Sequence, residues 1–223
     1  MIREDVSKIM SLLKEEYNGV RRTSLNRMRT EGDSFKILIG CLVSIGIRDE
    51  VCEGILDELF VKAGSFEELL EIEDKKLERI LYNARFRRIK ANRLKEVSRE
   101  ILERFDGQVP DRKEDLLSIK GIGGKTANIV LNFAFDKNVI PVDSNVHRIS
   151  NRLGIVETKT PDESEKMLLE VLPQKYWKEI NGLCMIHGRE TCIPINPKCD
   201  NCCVEKYCLK IELKNKNKSP LKN

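Results

Sequence analysis

The chain of 223 residues lacks a long apolar run, an internal repeat and nearly all alternation of apolar with polar residues. Without about 20 consecutive apolar residues, a membrane-spanning helix is not expected. The first residues, MIREDVSKIM, also lack the apolar core of a signal peptide, which predicts a cytoplasmic protein. Because strand-like alternation is almost absent and apolar residues recur at helical spacing, we predict an all-α fold.

The cysteines lack the two close pairs that most zinc sites carry. One close pair is flanked by single cysteines near the C-terminus, with gaps of six, two and five residues. Zinc sites usually use two pairs separated by a longer segment, whereas this spacing suits the corners of a cubane. We therefore predict a [4Fe-4S] cluster, with zinc as the alternative. The predicted ligands are Cys192, Cys199, Cys202 and Cys208.

The remaining cysteines show no disulfide framework. Cys41 and Cys52 fall within apolar helical runs, which predicts small buried hydrophobic side chains. Thiols that stay reduced and an iron–sulfur site both fit the cytosol. A redox-sensing role is a further alternative, and the adjacent Cys202 and Cys203 are its one support.

The formal charge of +4 is a modest excess, and a cluster held by four thiolates would lower it to about +2. A polyanionic partner therefore requires that the positive charges be grouped. Residues 85–93 carry such a group, for which the alternative is a solvated helix face. Its members are Arg85, Arg87, Arg88, Lys90 and Arg93.

Three glycines in four residues interrupt the apolar pattern at Gly121, Gly123 and Gly124. A short helix is predicted to end near Ser118, and a second to begin at Lys125. Glycines here permit positive φ and expose backbone N–H groups at a helix N-terminus, where they can bind a phosphate regardless of sequence. The alternative is an ordinary corner between two helices.

Residues 116–135 resemble the helix–hairpin–helix of DNA repair glycosylases. The segment Val139-Ile140-Pro141-Val142-Asp143 is similar to the proline and aspartate loop of the same superfamily. The cysteine spacing and His187-Gly188-Arg189 resemble its endonuclease III branch. The resemblance covers about residues 30–210 and implies two helical domains. These are 27–137, ending in the hairpin, and 1–26 with 138–223, holding the cluster.

The resemblance implies a base-excision DNA glycosylase with AP lyase activity on double-stranded DNA. Lys125 falls where the lyase branch has its Schiff-base lysine, and Asp143 where the family has its catalytic aspartate. A lysine in the first turn of a helix, with partial burial, would have a lowered pKa and so a reactive amine. Taken singly, Lys125 would be a solvated lysine and Asp143 an N-cap.

Two departures from the family affect the lesion pocket. Gly46 stands where the family has a glutamine that fills the gap left by the flipped base, and Asn145 replaces a histidine. Ile47 and Arg48 are the candidates to replace that glutamine, and Phe86 or Arg87 to supply the second wedge. The alternative is that Gly46 merely ends a helix. The expected pocket and wedge residues are Gly46, Ile47, Arg48, Asp49, Phe86 and Asn145.

The substrate stays open at this level. Oxidised pyrimidines are the default, and mismatched, deaminated or alkylated bases and a predominant AP lyase activity are alternatives. A module that binds damaged DNA without catalysis is an alternative of another class. We expect a monomer whose DNA contacts come from Gly121, Gly123, Gly124, Arg87, Arg88 and Lys90.

Overall fold

A computed structural model describes residues 3–20, 28 and 32–211 of the chain. Every regular element in these ranges is a helix, which confirms the predicted all-α class. No helix in the described part has the length and apolar character needed to cross a membrane. The chain divides into two compact units, one of Met1–Arg21 with Asn138–Asn223 and the other of Arg22–Lys137. The predicted boundary between residues 26 and 27 lies outside the described residues.

The described residues form eleven α-helices. In chain order they are α1 (Arg3–Glu16), α2 (Ser34–Ser44), α3 (Asp49–Lys62), α4 (Phe66–Glu71), α5 (Asp74–Ile80), α6 (Arg87–Phe105), α7 (Lys113–Ser118), α8 (Gly124–Phe133), α9 (Ser144–Leu153), α10 (Pro161–Val171) and α11 (Ile180–Glu190).

The unit Arg22–Lys137 is built around α2, which is buried along residues 37–43. The helix is apolar on all sides because it packs against α3, α6 and α8. Its N-cap is Asp33, whose carboxylate accepts from the backbone N–H of Lys36. The ring of Phe35 meets that of Phe66 edge to face, with centroids 4.9 Å apart.

The other unit has a separate apolar core formed by α1, α9, α10 and α11. Helix α1 contributes Val6, Ile9, Met10 and Leu13 at helical spacing, all buried. Helix α10 begins with a capping box, in which Thr160 and Glu163 bind each other's backbone N–H groups, and Pro161 occupies its first turn. Cysteines of the segment 192–208 pack against this core.

Candidate functional site

The glycine turn connects α7 to α8 as the sequence predicts. Helix α7 ends at Ser118, and α8 begins at Gly124, one residue earlier than expected. Only Gly121 of the three glycines adopts a positive φ, at 97°, whereas Gly123 is an extended N-cap. Gly121 and Gly123 are exposed. The turn therefore presents backbone at the N-terminus of a ten-residue helix.

Lys125 lies in the first turn of α8, immediately after the glycines. Its side chain is exposed, so the partial burial expected from the sequence is absent from this structure. The positive charge of its ammonium affects the buried thiol of Cys41. Burial raises the pKa of Cys41 to about 12, and the charge of Lys125 opposes that rise. Lys125 thus combines an accessible amine with the positive end of a helix.

Asp143 is the N-cap of α9. One carboxylate oxygen, Oδ1, accepts from the backbone N–H groups of Asn145 and Val146, each at 2.9 Å. The other oxygen lies 3.5 Å from the Asn145 side-chain amide. The capping alternative therefore describes the local structure correctly. The cap also holds a half-buried carboxylate in one fixed orientation, which a reacting group requires.

Asn145 links Asp143 to the cysteine segment through a residue that the sequence interpretation missed. Nη2 of Arg148 donates to Oδ1 of Asn145 at 2.9 Å and to the carbonyl of Cys192 at 3.0 Å. Gly188 makes this approach possible, because an added Cβ would lie 2.5 Å from Oδ1 of Asn145. The pattern of residues 143–148 alone gives no sign of this connection, since Cys192 is 44 residues away.

The four predicted ligands, Cys192, Cys199, Cys202 and Cys208, line a single pocket. Two short 3₁₀ turns, Cys199–Asn201 and Glu205–Tyr207, direct the segment around it. Burial raises the pKa of Cys202 to about 11 and also raises that of Cys208, and repulsion between the thiols contributes to both. A bound cation would oppose this rise, because it favours the thiolate form that ligates it.

The pocket is bordered by a buried arginine, Arg152. Within residues 3–20, 28 and 32–211, no three His, Cys, Asp or Glu side chains converge on one metal ion. Arg152, only 3% exposed, lies beside the pocket with Nη1 3.5 Å from the sulfur of Cys192. Its charge suits the net negative charge of a thiolate-held cluster.

His187 lies against the same pocket and is fully buried. Burial, with a smaller contribution from the positive charge of Arg148, lowers the pKa of His187 to about 4. The imidazole is therefore neutral at neutral pH. The sequence shows His187 only as part of the motif His187-Gly188-Arg189 and does not predict its contacts with the pocket.

The segment after α2 has no side chain at Gly46, whose φ is 71°. A Cβ there would meet nothing within 4 Å, so the conformation rather than crowding favours glycine. Gly46 follows the end of α2 at Ser44, in the left-handed conformation that a C-capping glycine adopts. Arg48 is exposed next to it, Ile47 and Asp49 are half-buried, and α3 begins at Asp49.

Phe86, a candidate for the second wedge, directly precedes α6. Its backbone is left-handed, with φ 59° and ψ 39°. Its ring is 61% exposed, and the Arg85 guanidinium lies 4.7 Å from the ring centroid. A non-glycine residue pays about 1–2 kcal/mol for this conformation. Such strain at an exposed aromatic residue is typical of a functional position. Arg87 and Arg88 are exposed beside it.

Lys90 does not lie with these arginines. The side chain is 8% exposed, and its ammonium donates to the carbonyls of Leu42, Val43 and Ile45. Burial lowers its pKa. The prediction that Lys90 contacts DNA therefore does not agree with its position, because the amine closes the C-terminal end of α2.

The sequence of the chain is similar to those of known proteins. Residues 39–174 match the family model described as HhH-GPD superfamily base excision DNA repair protein. The endonuclease III of Thermotoga maritima is 41% identical over 182 residues, covering 82% of this chain and 85% of that protein. The endonuclease III of a Synechocystis strain is 30% identical, with 92% of both chains covered.

Solved structures agree on the fold. A trapped endonuclease III–DNA covalent intermediate matches with a TM-score of 0.81 at 23% identity, covering 96% of this chain and 99% of the other. A thermostable thymine-DNA glycosylase also matches at 0.81, with 24% identity and coverage of 93% and 95%. The family model spans the hairpin, Lys125 and Asp143, and the sequence relatives include endonuclease III enzymes. The chain therefore belongs to the HhH-GPD superfamily of base excision DNA repair proteins.

Proposed function

We propose that this protein is a base-excision DNA glycosylase with AP lyase activity on double-stranded DNA. The observation that carries the proposal is the accessible Lys125 at the N-terminus of α8, directly after the glycine turn. Its support comes from the 41% identity to an endonuclease III and from the fold shared with an endonuclease III caught covalently on DNA.

Lys125 is the proposed nucleophile. Its neutral amine attacks C1′ of the sugar, the C1′–N bond to the base breaks, and the base leaves with the bonding electrons and takes up a proton. The sugar opens to a Schiff base on Lys125, and β-elimination then expels the 3′ phosphate. The attack requires the neutral amine, because a protonated amine has no free electron pair.

Asp143 is the proposed electrostatic partner of this reaction. The bond to the base breaks through an oxocarbenium-like transition state, which a fixed carboxylate stabilises. Two backbone N–H groups fix one carboxylate oxygen of Asp143. Replacing Asp143 by asparagine tests the role cleanly, because asparagine is also a good N-cap and removes only the charge. We expect Asp143→Asn to bind DNA and to lose base excision.

A [4Fe-4S] cluster is the proposed cofactor, held by Cys192, Cys199, Cys202 and Cys208. Their shared pocket and the adjacent Arg152 support this assignment. When bound, the cluster would fold the segment 192–208 into a rigid loop, and the lyase chemistry takes no electron from it. Lys198 and Lys206 are exposed on this loop and can meet phosphates.

DNA contacts are assigned to the hairpin backbone at Gly121, Gly123 and Gly124 and to the exposed Arg87 and Arg88. Backbone N–H groups and arginines bind phosphates without regard to sequence, so affinity should fall steeply with salt. Phe86 is the proposed wedge, since an exposed aromatic ring can stack where a base has left the duplex.

Oxidised pyrimidines are the proposed default lesion, and an enzyme that acts mainly on abasic sites is the second candidate. Gly46 favours the second candidate, because it offers no side chain to fill the gap left by a flipped base. Duplexes carrying an oxidised pyrimidine, a mismatch, uracil, an alkylated purine or an abasic site separate the two when base release and strand cleavage are scored apart. Binding without either product would instead indicate a non-catalytic module.

The protein is proposed to act as a monomer in these assays. Light scattering at the assay concentration, with and without a short duplex, gives the mass of the free and the bound protein directly.

A further inference from the structure

A partly buried hydrogen-bonded chain connects the end of helix α1 to the cysteine pocket. His187 lies on α11 with 1% of its surface exposed. Its Nδ1 is 2.8 Å from the hydroxyl of Tyr17, and its Nε2 is 3.8 Å from the sulfur of Cys202. All three residues belong to the same compact unit of the chain.

The chemistry of Cys202 and Tyr17, the two ends of this hydrogen-bonded chain, allows one arrangement of protons on His187. A cysteine that ligates a metal is a thiolate and can only accept a hydrogen bond. The ring must then carry its proton on Nε2, which leaves Nδ1 as an acceptor for the Tyr17 hydroxyl. The Tyr17 oxygen keeps a lone pair for the hydroxyl of Thr191, 3.2 Å away. Every group in the chain is satisfied in this arrangement.

We propose that Tyr17 and His187 are positioning residues for the cluster, with Nε2–H of His187 donating to the ligating sulfur of Cys202. This inference rests on the proposed [4Fe-4S] cofactor. A donor to a ligating sulfur draws negative charge away from the metal, so it stabilises the more reduced state and raises the reduction potential. Tyr17, directly after α1, thereby affects the electronic state of a group that Cys202 would hold.

The test uses the iron-loaded protein of 223 residues and three variants. Tyr17→Phe keeps the ring and removes the hydroxyl, and His187→Phe removes the donor itself. Tyr176→Phe is the matched control, because Tyr176 is buried in the same unit and its hydroxyl bonds to Ser11 and the Ser7 carbonyl, away from the pocket. Iron content and the absorbance near 400 nm are measured first, then the reduction potential by voltammetry.

We expect wild type, Tyr17→Phe and Tyr176→Phe to hold equal iron. The potential should move to more negative values in Tyr17→Phe, further in His187→Phe, and not in Tyr176→Phe. Nitrogen NMR of His187 should show the Nε2–H tautomer in wild type and a mixture in Tyr17→Phe. If His187→Phe does not fold, Tyr17→Phe alone decides the inference.

Two contrary results have different meanings. If wild type and Tyr17→Phe both hold full iron and have the same reduction potential, the role of Tyr17 and His187 is overturned and the proposed cofactor stays intact. Wild-type protein that binds zinc, or no metal, overturns the proposed cofactor and this inference with it.

Discussion

The ammonium of Lys90, on α6, donates to the carbonyl of Ile45 at 2.6 Å, just beyond the end of α2. The same nitrogen lies 3.0 Å from the carbonyl of Val43, and the Lys90 backbone N–H donates to the carbonyl of Phe86. One buried residue therefore joins the segment before Gly46 to the segment that carries Phe86. These are the two segments assigned to the space around a flipped base.

Removing this amine should loosen both segments. Lys90→Met keeps the apolar stem and leaves the carbonyls of α2 without their charged donor, so the free energy of unfolding should fall by about 1.5–3 kcal/mol. Urea unfolding measures it. Lys76→Met, at an exposed position on α5, is the control and should change stability by less than about 0.5 kcal/mol. Equal effects would contradict the role of Lys90.

Phe86→Gly should affect stability and DNA processing in opposite directions. Glycine relieves the left-handed strain, so the free energy of unfolding should be unchanged or higher by up to about 1 kcal/mol. Loss of the ring removes stacking worth about 1–3 kcal/mol, so affinity for an abasic duplex should fall about 5-fold to 150-fold. Ile89→Gly, at an equally exposed helical position, should lower stability instead. Unchanged affinity of Phe86→Gly would remove the wedge assignment.

Gly188→Ala should disconnect Asp143 from the cysteine segment. Its methyl group would lie 2.5 Å from Oδ1 of Asn145 and 2.8 Å from Nη2 of Arg148, so that hydrogen bond must break. We expect stability to fall by about 1–3 kcal/mol, with slower base release. The control Gly54→Ala lies in open space on α3 and should raise stability by about 0.5–1 kcal/mol. A rise with both variants would contradict the close approach at Gly188.

Cys41 should give the protein a defined sensitivity to alkali. The folded-state pKa is raised from 9.0 to about 12, so the folded protein binds more protons than the unfolded chain between these values. The stability from this thiol is therefore complete below pH 9 and is lost as pH rises towards 12. In Cys41→Ala the fall in unfolding free energy over this range should be shallower by about 1.4 kcal/mol per pH unit. Identical slopes would show that Cys41 ionises normally.

The sequence predicted those features whose cause is local. The apolar spacing in α8 and the glycine turn before it depend on neighbouring residues, and both occur in the structure as expected. The four cysteines, also close in sequence, line one pocket. The environment of Lys125 was not predicted, because its exposure depends on how the surrounding helices pack. The capping role of Asp143 was recognised only as an alternative.

Contacts between distant residues escaped prediction for a physical reason. Tyr17 meets His187 across 170 positions and Arg148 meets Cys192 across 44, and no local pattern encodes either pair. Lys90 is a different case, since a usable signal existed. It precedes Leu94, Val97 and Ile101 at spacings of four, seven and eleven, which places it on the buried face of α6.

The central claim is that the amine of Lys125 forms a Schiff base with the opened sugar, and borohydride trapping on a duplex with one abasic site tests it most directly. Lys120→Gln is the matched control, because Lys120 is an exposed lysine of the same turn and its loss removes the same charge. We predict a covalent protein–DNA product with wild type and Lys120→Gln, and none with Lys125→Gln. Normal trapping by Lys125→Gln would contradict the account.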